Sequence, residues 1–299
     1  MFARQTGFIQ RSRKVDPVAM LWTLVLGFGV GARRQVAALR RFYEVETGTT
    51  LAPSAFYDRF TAGLVRFLRV VLAELLSRCA EPTRKFHGRF AQFRDIVCAD
   101  ATVLKLHEML EGVYKGSGRT NLKAAAKLHM VMSVVGRGPR TVKLTGERAN
   151  EGKKLLIGPW VKGRLLLFDL GYYKHQLFDR ISRNNGYFVS RLKGNANPRI
   201  VGVNCPIKGR SMDLLGQRLK DMLPRLKREI LDVDVEVEFY RRAYRGQSSR
   251  GKTRFRVVGL KDAQTQKYHL YITNISAKQL DAREIAQAYS LRSLSANNK

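Results

Sequence analysis

The sequence has few of the features that mark several common classes of protein. Its three cysteines, Cys79, Cys98 and Cys205, form no CxxC pair, which argues against a zinc site or a disulfide framework and favours a reducing compartment. The longest apolar run, 18–30, is interrupted by two glycines and falls short of the roughly 18–20 residues that span a bilayer. The first residues lack the apolar core of a signal peptide. We therefore expect a cytoplasmic protein that makes no contact with membranes.

Acidic residues are scarce compared with basic ones. The 299 residues include 24 Asp and Glu against 55 Lys and Arg, which gives a formal net charge of +31. Such an excess repels itself in a compact chain unless a polyanion relieves it. The first 94 residues carry +10 and the other 205 carry +21, so the charge is not confined to a tail. This even distribution favours extended contact with a phosphate backbone, and we expect a nucleic acid as the partner and the nucleoid as the location.

The first 94 residues have the pattern of helices. Asp16-Pro17 is typical of a helix start, and the apolar residues of 18–26, 33–43 and 53–75 recur at helical spacing. Two of these helices, joined by a glycine turn, could form a helix-turn-helix. An ordinary helical bundle explains the pattern equally well, and the sequence leaves both possibilities open.

Strands alternate with helices from Asp95 onward, which predicts an α/β fold with a mixed sheet. The run 164–169 is almost continuously apolar, as expected of a central strand that is buried on both faces. The predicted strands are 96–100, 128–135, 140–144, 164–169, 187–192, 230–244, 254–260 and 268–272, and the predicted helices are a stretch ending near 183, 214–223 and 281–292.

Two acids, Asp100 and Asp169, each follow an apolar strand. If the two strands are neighbours, both carboxylates lie at one edge of the sheet, where α/β proteins bind ligands. A divalent metal would relieve the repulsion between them and could promote phosphodiester chemistry. The alternative is that each Asp forms a turn or caps a helix. Four further acids, at 232, 234, 236 and 238, alternate with apolar residues and predict a solvated strand face rather than a metal site.

Three short motifs resemble the insertion-sequence-four family of bacterial and archaeal transposases. They are Asp100-Ala-Thr102, Asp169-Leu-Gly171-Tyr172 and the segment 285–292, which ends in Tyr289-Ser-Leu-Arg292. The resemblance implies a ribonuclease-H-like catalytic domain at 95–299 with a β-rich insertion at about 199–275, preceded by a helical DNA-binding region at 1–94. It also implies that Asp100 and Asp169 ligate Mg²⁺ or Mn²⁺.

The activity implied by the resemblance is cleavage at the ends of a transposable element and transfer of the freed 3′-hydroxyl to target DNA. The partner is then double-stranded DNA, which a homodimer could hold. Tyr289 and Arg292 match the start of the family's helical signature. With these two, the expected DNA contacts are the basic residues of the helical region and of the hairpin near 247–252: Arg33, Arg34, Arg40, Arg41, Arg241, Arg242, Arg245, Arg250 and Lys252.

The chain departs from that family at its third acid. The signature places Glu four residues after Arg292, where this chain has Ala296, and its Lys would fall at position 303. We therefore predict a reading frame that ends early, intact DNA binding, and weak or absent cleavage. A non-catalytic DNA-binding remnant, or an inhibitor of transposition, is the main alternative. A structural RNA-binding protein would explain the charge, but not the two acids.

Overall fold

A computed structural model describes residues 1–11, 15–30, 35–79, 85–117, 122–136, 139–149, 155–204, 213–241 and 249–296. The chain divides into two compact units, Met1–Arg78 and Cys79–Lys299. The first unit is helical, whereas the second is built on one mixed β-sheet. Among the described residues, no helix is both long enough and apolar enough to cross a bilayer.

The helical unit has the helix start that the sequence predicts at Asp16-Pro17. The Asp16 carboxylate accepts a hydrogen bond from the backbone N–H of Ala19 at 2.7 Å, and Pro17 occupies the first helical position. The predicted helical run at 53–75 is broken near Thr61, whose hydroxyl accepts the N–H of Leu64 at 3.3 Å and starts a second helix. The helices are α1 (Phe2–Gln5), α2 (Pro17–Trp22), a π-helical segment (Thr23–Val30), α3 (Val36–Thr47), α4 (Pro53–Tyr57) and α5 (Ala62–Cys79).

The second unit contains a nine-stranded sheet with the order β3-β2-β1-β4-β5-β9-β8-β7-β6. Strands β1, β4 and β5 are parallel to one another, and every other neighbouring pair is antiparallel. The strands are β1 (Asp95–Lys105), β2 (Ala125–Ser133), β3 (Pro139–Gly146), β4 (Arg164–Phe168), β5 (Tyr187–Arg191), β6 (Arg199–Val203), β7 (Ile230–Tyr240), β8 (Arg250–Lys261) and β9 (Tyr268–Thr273).

Helices cover both faces of this sheet. The α-helices are α6 (His175–Arg183), the short α7 (Leu219–Met222) and α8 (Ala282–Ala296). Helix α6 packs with alternate β4 residues such as Phe168 in one core, and α8 packs with the intervening ones such as Leu167 in the other. All five residues of β4 are buried, which confirms the predicted central strand. The predicted fold class, a ribonuclease-H-like mixed sheet with flanking helices, is confirmed.

Two elements between 199 and 275 differ from the sequence prediction. The helix predicted at 214–223 is reduced to α7 and a 3₁₀ turn at Leu223–Arg225. Residues 214–218 are not helical because their backbone pairs with β6: the N–H of Ile200 donates to the carbonyl of Gln217 and the N–H of Gly216 donates to the carbonyl of Ile200, both at 2.9 Å. The strand predicted at 230–244 ends at Tyr240, and 242–248 lie outside the described residues. Strands β6 to β9 extend the same sheet as β1 to β5.

The prediction that the acids of β7 form a solvated face is wrong at Asp232. This side chain is only 8% exposed and forms two bonds with Arg256, at 2.7 Å to Nε and 2.6 Å to Nη2. Arg256 also donates from Nη1 to the carbonyls of Ile275 and Leu280, at 3.2 and 2.7 Å. The β7 face is covered at this end by the segment that leads into α8, whereas Glu238 at the other end is exposed.

We expect Arg256→Met to lower the free energy of unfolding by about 3–5 kcal/mol, because it leaves a buried carboxylate without its partner. Arg283→Met is the matched control. Arg283 forms an exposed pair with Glu229 at 3.8 Å, which predicts a loss below about 1 kcal/mol. Urea unfolding followed by Trp160 fluorescence in a Trp22→Phe background reports on the second unit alone, since the chain has two tryptophans. Equal losses in both variants would contradict the assignment.

Candidate active site

The parallel register of β1 and β4 places the two candidate acids side by side. Ala99 pairs with Phe168 as the last pair of this ladder, so Asp100 and Asp169 are the next residues on the two chains. Asp169 directly follows β4, as the sequence predicts. The prediction that Asp100 ends its strand is wrong. Strand β1 continues to Lys105 because its other edge pairs with β2 over this whole length.

Both carboxylates lie where β4 has ended and β1 has lost its parallel neighbour. The Asp100 side chain is 28% exposed and the Asp169 side chain 49% exposed, so both are partly shielded from water. Asp169 starts the 3₁₀ helix Leu170–Tyr172 but forms no capping bond with its side chain. The capping alternative therefore does not account for this carboxylate.

The guanidinium of Arg292 contacts both carboxylates. Its Nη2 lies 3.6 Å from Oδ1 of Asp100 and 3.5 Å from Oδ2 of Asp169. Helix α8 delivers it, and this helix starts with a reciprocal pair of hydrogen bonds. The N–H of Glu284 donates to the Asp281 carboxylate at 2.9 Å, and the N–H of Asp281 donates to the Glu284 carboxylate at 2.7 Å. The geometry joins one cation to two anions.

Tyr289 lies one turn before Arg292 and packs on Tyr271, with the ring centroids 5.2 Å apart. Burial raises the pKa of the Tyr289 hydroxyl, and the nearby charge of Asp169 raises it further, whereas Arg292 lowers it. The phenol is therefore a neutral hydrogen-bonding group beside the carboxylates. The structure thus places Arg292 in contact with both acids and Tyr289 near Asp169.

Two carboxylates suit a hard divalent cation. Mg²⁺ prefers oxygen ligands and commonly takes one or two protein carboxylates while keeping water in its other positions. Within the described ranges, no group of three or more His, Cys, Asp or Glu side chains could hold a metal ion. Glu284 does not supply a third acid, since it lies eight residues before Arg292, about 12 Å along the helix, and its carboxylate accepts the Asp281 N–H.

Comparison with known proteins identifies the family of the chain. Residues 91–294 match the family described as transposase DDE domain. The chain belongs to this family. The chain is 28% identical over 206 residues to the transposase for insertion sequence element IS231F of Bacillus thuringiensis subsp. israelensis, an alignment that covers 65% of this chain and 42% of that relative. It is 26% identical over 203 residues to the transposase for element IS231D of Bacillus thuringiensis subsp. finitimus, an alignment that covers 64% of this chain and 41% of that relative. The chain thus spans about two fifths of the length of these relatives.

The basic residues predicted to contact DNA differ in their exposure and in whether they pair with other residues of the protein. In the helical unit, Arg40 is committed to Glu44 at 2.7 Å and to the carbonyl of Leu51 at 2.8 Å, whereas Arg41 is exposed. Arg33 and Arg34 lie outside the described residues. Arg40 therefore has a structural role that its place in the sequence did not reveal.

The second basic group lies on the β7–β8 hairpin of the transposase domain. The Arg250 guanidinium stacks over the Tyr240 ring at 5.6 Å, and Lys252 pairs with Glu236 at 2.8 Å while staying 58% exposed. Arg241 is half-buried, and Arg242 and Arg245 lie outside the described residues. Of this group, the exposed Arg250 and Lys252 can reach a phosphate.

His175 lies six residues after Asp169, at the start of α6. Its Nε2 lies 3.0 Å from the hydroxyl of Tyr173, and burial lowers the pKa of the imidazole below its usual 6.5. Burial also raises the pKa of Tyr173. The pair is thus neutral near pH 7 and supports the turn that follows Asp169.

We expect the free energy of unfolding to fall as the pH drops below about 6.5, because the unfolded chain binds a proton at His175 more readily than the folded chain does. Neutral His175 contributes its full stabilisation above that pH. As the pH falls from there to the lowered pKa of the folded protein, the free energy of unfolding decreases by up to about 1.4 kcal/mol per pH unit. His175→Gln should flatten this slope in urea titrations from pH 7 to 5. His269→Gln, at an exposed position, controls for loss of a histidine, and equal flattening would contradict the assignment.

Proposed function

We propose that this chain is a transposase of the insertion-sequence-four type that binds element ends and target DNA, with Asp100 and Asp169 holding Mg²⁺ or Mn²⁺. The observation that carries the proposal is the register of β1 and β4, which sets two carboxylates side by side within a transposase DDE domain. We further propose that residues 1–94 form a DNA-binding region, that residues 95–299 form the catalytic domain, and that the chain acts in the nucleoid as a homodimer on DNA.

The chemistry assigned to the site is phosphodiester cleavage and strand transfer. A bound divalent metal would activate the attacking water or 3′-hydroxyl and stabilise the leaving oxygen. Asp100 and Asp169 supply the oxygen ligands, and the neutral Tyr289 hydroxyl and the Arg292 guanidinium lie beside them to orient a phosphate. Arginine suits this task because its planar donors match phosphate oxygens.

The charge of the chain supports an extended DNA contact. A net +31 over 299 residues far exceeds what a small-molecule enzyme requires. Arg250 and Lys252 are exposed on the β7–β8 hairpin beside the Tyr240 ring, a combination that suits contacts to the phosphate backbone. Arg41 is exposed in the helical unit. Lys and Arg side chains of this kind contribute affinity without sequence preference.

A non-catalytic DNA-binding function is the second candidate, and a specific observation favours it. The position of the signature glutamate is Ala296, and the described residues hold only two acids at the site. Two-metal phosphoryl transfer then lacks a ligand. We propose that cleavage by this chain is weak and that it could occupy element ends as an inhibitor of transposition.

We expect the full chain to bind duplex DNA with an affinity that falls linearly on a logarithmic scale of salt concentration, because each phosphate contact releases counterions. Arg250→Ala combined with Lys252→Ala should reduce the slope by about 2, whereas Asp100→Ala should not weaken binding. Fluorescence anisotropy with a labelled 30-bp duplex from 50 to 300 mM NaCl measures both. A slope near zero in the unchanged chain would exclude DNA as the partner.

We expect Ala296→Glu to increase metal-dependent DNA cleavage at least tenfold, because position 296 lies one helical turn after Arg292 and would return the third acid of the signature. Nicking of a supercoiled plasmid in Mn²⁺ is the measurement.

Ala296→Gln is the matched control, since it adds the same bulk without a ligand charge. Asp100→Asn in the Ala296→Glu background should remove the gain. Equal nicking by the Glu and Gln variants would show that a third acid at 296 is not what the site lacks.

A further inference from the structure

Arg292 contacts both candidate metal ligands. Its Nη2 is 3.6 Å from Asp100 and 3.5 Å from Asp169, and its side chain is only 24% exposed. Two carboxylates this close repel each other, and the guanidinium offsets part of that repulsion. The cluster holds two negative charges and one positive charge, so it remains attractive to a cation.

We propose that Arg292 is an internal counter-ion of the Asp100–Asp169 pair, which a divalent cation displaces and which then becomes available to a DNA phosphate. The inference rests on the proposed function only in taking these two acids as metal ligands. It assigns to Arg292 a positioning role that neither its place in the helical signature nor the family match provides.

Competition follows from the atoms involved. The guanidinium faces Oδ1 of Asp100 and Oδ2 of Asp169, and a divalent cation would be held by the same two side chains. Two cations held within a few ångströms in a partly shielded site also repel each other. The metal and the guanidinium therefore exclude each other from the position between the carboxylates.

Displacement does not require the helix to move. The start of α8 is fixed by the hydrogen bonds between Asp281 and Glu284 and by the buried side chains of Ile285 and Ala288. Arg292 lies two turns farther on and is half-buried, and its long side chain can change rotamer while its stem stays packed. Release from the carboxylates leaves the fork of donors near the site, where phosphate is the matching anion.

This exchange couples the two ligands. A metal that frees Arg292 strengthens the contact with a phosphate, and a phosphate that holds Arg292 unmasks the carboxylates. By linkage, each ligand raises the affinity for the other by the same factor. The carboxylate pair is then stable without a metal and receives one most readily when DNA is present.

The test is Mn²⁺ binding to the full chain without DNA, followed by the electron paramagnetic resonance signal of free Mn²⁺. We expect Arg292→Gln to bind Mn²⁺ about tenfold more tightly than the unchanged chain. The metal then no longer has to break the contact between Arg292 and the carboxylates, and one charge-assisted contact corresponds to a change in affinity of about this size. Arg283→Gln on the same helix removes the same charge from an exposed pair with Glu229 and should change the affinity less than twofold. Arg292→Lys keeps a positive charge and should bind Mn²⁺ much as the unchanged chain does.

A second readout separates this role from a merely structural one. Without metal, Arg292→Gln should unfold at a lower temperature than Arg283→Gln, and saturating Mn²⁺ should remove most of that difference.

The inference is overturned if Arg292→Gln binds Mn²⁺ no more tightly than Arg283→Gln, or if Arg292→Lys binds as tightly as Arg292→Gln. If Asp100→Asn leaves Mn²⁺ binding unchanged, the proposed metal ligation itself is wrong. If Asp100→Asn abolishes binding and Arg292→Gln has no effect, only the counter-ion role falls.

Discussion

The parallel pairing of β1 with β4 is the constraint on which the site depends. Its register makes Ala99 and Phe168 neighbours, so that the next residues, Asp100 and Asp169, approach although 68 residues lie between them in the chain. Both strands are buried through this ladder, and a slip by one residue would turn every side chain to the opposite face of the sheet. The hydrophobic core therefore fixes the relative position of the two charges.

A buried ion pair connects the distal strands to the same site. Arg256 on β8 holds Asp232 on β7 and also binds the carbonyls of Ile275 and Leu280 in the segment that precedes α8. A buried charge is tolerated only when its hydrogen-bonding groups have partners. The partners of Arg256 are one carboxylate and two backbone carbonyls. The helix that carries Arg292 is thus attached to strands that contribute no ligand to the site themselves.

The electrostatics of the site bear on both proposed functions. Two carboxylates with a guanidinium between them form a partly neutralised cluster without metal, and the net charge of +31 on the chain favours contact with a polyanion in either case. Membership of the transposase DDE family defines the scaffold, and Ala296 is the position on which the two proposed functions differ.

The sequence by itself determined the central strand, the helix start at Asp16 and the two candidate acids, because apolar runs and capping residues act over a few neighbouring positions. It misjudged Asp232 and the role of Arg40, since an alternating pattern cannot show which face a distant segment covers. Only the tertiary structure revealed that β1 continues past Asp100, because β1 pairs with β2 as far as Lys105 but with β4 only as far as Ala99. The contact of Arg292 with both acids was likewise decided by packing, because it joins residues separated by more than a hundred positions along the chain.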